Sequence, residues 1–165
     1  MATVDFPSGH PSHLRSRMLE AFLKPVVITH VGSRDARFLL KPGEGMDAIH
    51  ATTEYAYAVA LLSTGGPLTG SGLALTLGQG TELVCHAIEA LGAPLVGREI
   101  EELMAEFGKV FRQLADHPQL RWLGPHKGVV HLALAALTNA CFDLWAKVRG
   151  VPLWKLLLDL SLIHI

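Results

Sequence analysis

Residues 54–77 read EYAYAVALLSTGGPLTGSGLALTL. Tyr55, Tyr57, Val59 and Leu61 recur at period two, the spacing of side chains that share one face of a β-strand. Thr64-Gly65-Gly66-Pro67 then breaks the pattern and Leu68 to Leu77 runs extended again, so the stretch predicts a β-hairpin. Upstream, Val26, Val27, Ile28 and Val31 open an earlier strand that leads through Arg34 and Asp35 to Phe38. Three successive strands make an antiparallel meander. The loop from Lys41 to Thr53 sets Pro42, Gly43 and Gly45 among polar residues; it is too long for a tight turn, and long ordered loops often carry function.

After Gly78 the period becomes helical. Leu83, Val84, Ala87, Ile88 and Leu91 form one stripe, with Thr81 placed as N-cap and Gly92 as stop. A second helix is expected over about residues 98–116, its inner face made by Ile100, Leu103, Met104, Phe107, Val110, Phe111 and Leu114. The third and longest runs from about Lys127 to Arg149 and is apolar nearly all round, the mark of a central helix covered on several sides. A short last helix covers Leu153 to about Leu158. The expected fold is therefore α+β, a three-stranded antiparallel meander followed by a helical bundle, within one domain spanning residues 26–159. Residues 1–25 have no clear period and read as a flexible extension.

With 165 residues, half of them hydrophobic and 18% charged, the chain can bury one sizeable core. The formal net charge of -1 and the lack of any basic run argue against nucleic-acid or anionic-lipid partners. The most apolar stretch, His131 to Val148, is interrupted by Asn139, Asp143 and Lys147 and reads as a buried helix rather than a membrane span. Met1 to His13 lacks the basic flank and apolar core of a signal peptide. Cys85 and Cys141 sit in apolar helical patterns without metal or redox spacing, and are expected to be buried free thiols in a reducing compartment.

Isolated chemical motifs resolve into structural roles. The closest structured histidine pair, His126 and His131, is five residues apart and so does not share a helical face; no metal site is expected in this chain. Gly78-Gln79-Gly80-Thr81 precedes a helix, yet no Lys-Ser/Thr and no third glycine completes a phosphate or dinucleotide motif, which leaves a strand-to-helix turn. Ser71 lies between Gly70 and Gly72, whereas a nucleophile elbow needs glycine at the places held by Thr69 and Leu73. Asp143 is read as a packing residue paired to a Lys, an Arg or a backbone donor rather than as a catalytic carboxylate. No self-contained active site is expected.

Resemblance adds a family. Asn139-Ala140-Cys141-Phe142-Asp143-Leu144-Trp145-Ala146-Lys147, followed by Gly150-Val151-Pro152-Leu153-Trp154-Lys155-Leu156-Leu157, resembles the segment closing the N-terminal domain of the mandelate racemase and muconate lactonising branch of the enolase superfamily. Leu158 stands where many members have Gly. Arg34-Asp35-Ala36-Arg37-Phe38, Leu77-Gly78-Gln79-Gly80-Thr81-Glu82 and residues 120–133, LRWLGPHKGVVHLA, are similar to L-fuconate dehydratases, including the mitochondrial members of animals.

The resemblance implies a capping domain that lends loops to the mouth of a (β/α)8 barrel, while the acid-base groups and Mg²⁺ belong to that barrel. The reaction it implies is removal of the proton next to a carboxylate and loss of a β-hydroxyl, turning a sugar acid into its 2-keto-3-deoxy product. By the same resemblance Gly45, Met46, Asp47 and Tyr55 contact the substrate; Met46 replaces a small polar residue, and Phe38-Leu39-Leu40-Lys41 replaces a Phe-Pro-Thr-Ser-like stretch. A galactonate or mannonate dehydratase is the alternative substrate assignment, and a stand-alone binding domain the alternative class. The resemblance further implies a homo-oligomeric parent enzyme, cytoplasmic in a bacterium or mitochondrial in a eukaryote.

A barrel needs about 250 residues, so the chain is expected to be a truncated cap, inactive alone. Its last six residues, LSLIHI at 160–165, are expected to be a non-native tail, since they match the translation of a sequencing adapter.

Overall fold

The computed structural model describes residues 25–41, 43–45, 48 and 49, 54–124 and 126–162. Apart from Pro25, the extension expected at residues 1–25 lies outside them, as do Met46 and Asp47.

Strands β1 (Ile28–Leu39), β2 (Glu54–Thr64) and β3 (Thr69–Thr76) form one antiparallel sheet in the order β1-β2-β3. Phe38 stands opposite Tyr55, and Ala58 opposite both Asp35 and Ala74. Among the described residues five α-helices follow: α1 (Thr81–Gly92), α2 (Ile100–Ala105), α3 (Phe107–Ala115), α4 (Val129–Val148) and α5 (Leu153–Leu162). The expected α+β architecture is present.

The sheet's inner face is made mostly of small residues. Ala56, Ala58, Ala60, Leu62 and Ala74 are buried, and α4 crosses β3 over Gly70 and Gly72. A Cβ at Gly72 would be driven into the Ala136 carbonyl oxygen and would come within 2.5 Å of Ala140 N. Glycine is required there because helix backbone lies directly against strand backbone. The larger period-two set, Tyr55, Tyr57, Val59 and Leu61, lies on the opposite face, where Leu73 and Leu75 stay exposed.

Helix α4 is long and apolar enough to cross a membrane. In this fold it is the central helix, with Ala133, Leu134, Ala136, Leu137, Ala140 and Leu144 buried.

Three sequence expectations change. Thr81 does not cap α1; the N-cap is Gly80 at φ +84°, and the Thr81 hydroxyl turns inward to donate to the Gly78 carbonyl at 2.8 Å. The single helix expected over 98–116 is two helices broken at Glu106, whose φ of -118° leaves the helical region. Glu99 caps α2 by accepting from Glu102 N at 2.8 Å, and Arg98 pairs with Glu106 across the break. The last helix continues to Leu162, so the first residues of the expected tail are helical; residues 163–165 lie outside the described residues.

Candidate functional site

The substrate loop implied by the sequence leaves the sheet after Leu39 and returns at Glu54, which are paired across β1 and β2. Two of its four candidate residues are described, and the fold brings them together. Gly45 takes φ +67°, and a Cβ there would meet Leu40 Cδ1 at 2.6 Å and the Tyr55 hydroxyl at 3.2 Å. A side chain at Gly45 would therefore push Leu40 aside and crowd Tyr55. Phe38 faces Tyr55 across the strands and stacks edge-on against Tyr57, with ring centroids 5.8 Å apart. Met46 and Asp47, the other two candidates, lie outside the described residues.

Under the same end of the sheet sits an ionic cluster that sequence reasoning passed over. Arg37 Nε and Nη2 grip the Asp35 carboxylate at 3.1 and 2.7 Å, Nη1 donates to Glu54 at 3.3 Å, and Nη2 also donates to the Gly78 carbonyl at 3.2 Å. The hydrogen bond with Asp35, reinforced by the charges of Asp35 and Glu54, raises the Arg37 pKa above its ordinary value. Gly78 carries φ +100°, and its Cα faces the Glu54 carboxylate closely enough that a Cβ would lie 3.1 Å from an oxygen. The alternation of Val31, Ser33, Asp35 and Arg37 on one strand face was the signal available, because it puts Arg37 on the helix side of the sheet.

The other candidate motifs are structural. The Gly78-to-Thr81 turn is closed on itself, Thr81 N donating to Gly78 O at 3.2 Å. Asp143 accepts from Ser71 N at 2.7 Å, from the Ser71 hydroxyl at 3.1 Å and from Lys147 at 2.6 Å, while Lys147 donates to Thr69 O at 2.8 Å. The pair ties α4 to the free edge of β3, the packing role expected of Asp143. Cys85 and Cys141 are both buried and free, and burial pushes the Cys141 thiol up to about 12. His126 and His131 approach to 6.1 Å between ring centroids, because α4 begins at Val129 and leaves His126 in the preceding turn. Among the described residues no three His, Cys, Asp or Glu side chains are grouped to hold a metal ion.

Comparison with known proteins places this geometry in a family. Residues 37–157 match the mandelate racemase / muconate lactonizing enzyme N-terminal domain. The chain is 44% identical over 137 residues to mitochondrial enolase superfamily member 1 of Bos taurus, covering 81% of this chain and 31% of the relative. It is 41% identical over 140 residues to L-galactonate dehydratase of Hypocrea jecorina, covering 84% of this chain and 31% of the relative. The crystal structure of human mitochondrial enolase superfamily member 1 superposes with a TM-score of 0.74 at 42% identity, over 82% of this chain and 32% of that one. The chain thus spans about a third of the length of the relatives it matches. With the meander and the central helix in place, the chain belongs to the mandelate racemase / muconate lactonizing enzyme family of the enolase superfamily and carries its N-terminal capping domain.

Proposed function

We propose that this domain caps a sugar-acid dehydratase, with Gly45, Met46, Asp47 and Tyr55 contacting the substrate and a (β/α)8 barrel supplying the acid-base groups. The observation that carries the reading is the seating of Gly45 against the Tyr55 hydroxyl at the mouth of the β1–β2 loop, in a chain 41% identical over 140 residues to an L-galactonate dehydratase. A phenol held by its neighbours loses little freedom when it hydrogen-bonds a substrate hydroxyl, so its binding energy goes into orientation. A cap built this way orients the sugar acid and keeps water from the reacting carbons.

The substrate assignment is an acid of L-galacto configuration. L-fuconate is L-galactonate without its 6-hydroxyl, so a site reading C2 to C5 accepts both. In the reaction the proton at C2 leaves to a base, the C3 hydroxyl departs as water, and the enol becomes the 2-keto-3-deoxy acid. The Mg²⁺ implied by the family resemblance finds no donor set among the described residues, and no step here runs through it. The domain alone contributes binding and no turnover. A parent enzyme working in the cytoplasm or mitochondrion fits two unpaired buried thiols, while its homo-oligomeric state rests on the family resemblance alone.

The test is a dehydration assay of this domain joined to the barrel of its human relative, over a panel of sugar acids. L-fuconate and L-galactonate should both yield keto acid, with D-mannonate much slower. Preference for D-mannonate would reject the L-galacto assignment, and no turnover of any sugar acid by a folded fusion would reject the dehydratase reading.

A further inference from the structure

We infer that Arg37 is a positioning residue for Tyr55, holding the paired ends of β1 and β2, at the base of the loop, in the arrangement in which Tyr55 meets a ligand. The inference rests on the proposal that this loop contacts the sugar acid. One guanidinium joins three segments at this end of the domain: Asp35 on β1, Glu54 at the first residue of β2, and the Gly78 carbonyl in the turn into α1. Glu54 immediately precedes Tyr55, and Phe38, the neighbour of Arg37, stands opposite Tyr55 in the sheet. Arg37 lies on the helix side and Tyr55 on the outer side, so the hold is transmitted through the paired backbone rather than by contact.

The chemistry requires arginine. Its planar fork makes two parallel bonds to Asp35 and still has donors for Glu54 and Gly78, whereas a lysine ammonium is a single point charge that cannot span three acceptors in fixed directions. An ammonium at this position, or a neutral amide in place of Glu54, would break the fixed link from β1 through the guanidinium to the start of β2. Without that link the base of the loop is free to widen. Gly45, seated on Tyr55, then loses its backing.

Arg37→Lys and, as a milder variant, Glu54→Gln test this in the isolated chain by hydrogen exchange. Amides of residues 40, 41, 43–45 and 54–57 should exchange about tenfold faster, with those of α4 unchanged. In the barrel fusion, Arg37→Lys should raise KM for L-fuconate about fivefold with kcat held within about twofold. Tyr55→Phe serves as the control for substrate contact. Unchanged exchange in both variants, or a rise spread evenly over the chain, overturns the inference. A local rise with unchanged KM, while Tyr55→Phe raises KM, overturns it and leaves the substrate role of the loop standing. If neither variant moves KM, the substrate role itself falls, and the inference with it.

Discussion

Replacing Gly72 by alanine probes the contact on which the whole fold turns. The added methyl would point into α4, 2.5 Å from Ala140 N and 2.7 Å from Asn139 Cβ, with the Ala136 carbonyl oxygen closer still. Two of these three atoms are backbone, so no side chain can rotate aside. Restoring ordinary contact at 3.4 Å to Asn139 Cβ alone means lifting the helix by about 0.7 Å. A gap of that size forfeits about a quarter to a half of each dispersion contact beneath it. If the buried alanines and leucines of α4 make roughly 60 atom contacts with the sheet at about 0.15 kcal/mol each, the loss is about 2–4 kcal/mol, consistent with overpacking costs of about 1–3 kcal/mol. Urea unfolding followed by circular dichroism reads it directly: the midpoint should fall by about 1–2 M at a slope of about 2 kcal/mol/M. Gly108→Ala is the control, since its Cβ would meet nothing nearer than Arg112 Nη1 at 3.8 Å, and it should raise stability by about 0.5 kcal/mol. A midpoint for Gly72→Ala within 0.2 M or so of the parent would refute the close docking of α4 on β3.

Three further outcomes are expected. Asp143→Ala should cost about 1–2 kcal/mol, because the Ser71 amide and Lys147 lose their shared acceptor at the sheet edge; a smaller change on chemical unfolding would make the clamp incidental. Cys141, with its thiol pKa pushed to about 12, should resist a disulfide reagent at pH 8 until the chain unfolds. Labelling at the rate of a free thiol under native conditions would contradict its burial. Glu101 is held below the usual carboxylate range, first by its hydrogen bond from Arg149, which also stacks over the Trp145 ring at 4.3 Å. Its pKa is depressed on folding, so its stabilisation is fully present above the unfolded value of about 4.3 and fades as pH falls through the folded value. The pair is substantially solvent-exposed and is worth a few tenths of a kcal/mol after screening. Glu101→Gln should therefore lower stability slightly at pH 7 and converge with the parent near pH 2 in thermal scans; a gap that widens on acidification would reverse the sign argument.

Period-two spacing gave away the strands, and Gly and Pro their ends, because alternation in a meander is a local property. Which face of the sheet is buried was not local. Tyr55, Tyr57, Val59 and Leu61 are the bulkier set, yet the buried set is Ala56, Ala58, Ala60 and Leu62, since three alanines beside Gly70 and Gly72 let α4 approach the sheet. The break at Glu106 was hidden for a related reason: the apolar spacing from Ile100 to Leu114 runs through it, and the pairing of Arg98 with Glu106 links residues eight apart. At the candidate site, Gly45 and Tyr55 came from resemblance and were then found in contact. Arg37 was overlooked because a charged residue in a strand reads as solvated until the register shows Glu54 and Gly78 within its reach.

The most direct test is a crystal structure of the barrel fusion with L-fuconate bound. The account predicts the Tyr55 hydroxyl, or a polar atom of residues 45–47, within about 3.2 Å of a substrate oxygen. A sugar acid bound in the barrel with the β1–β2 loop turned away from it would contradict the assignment of this domain as the cap that reads the substrate.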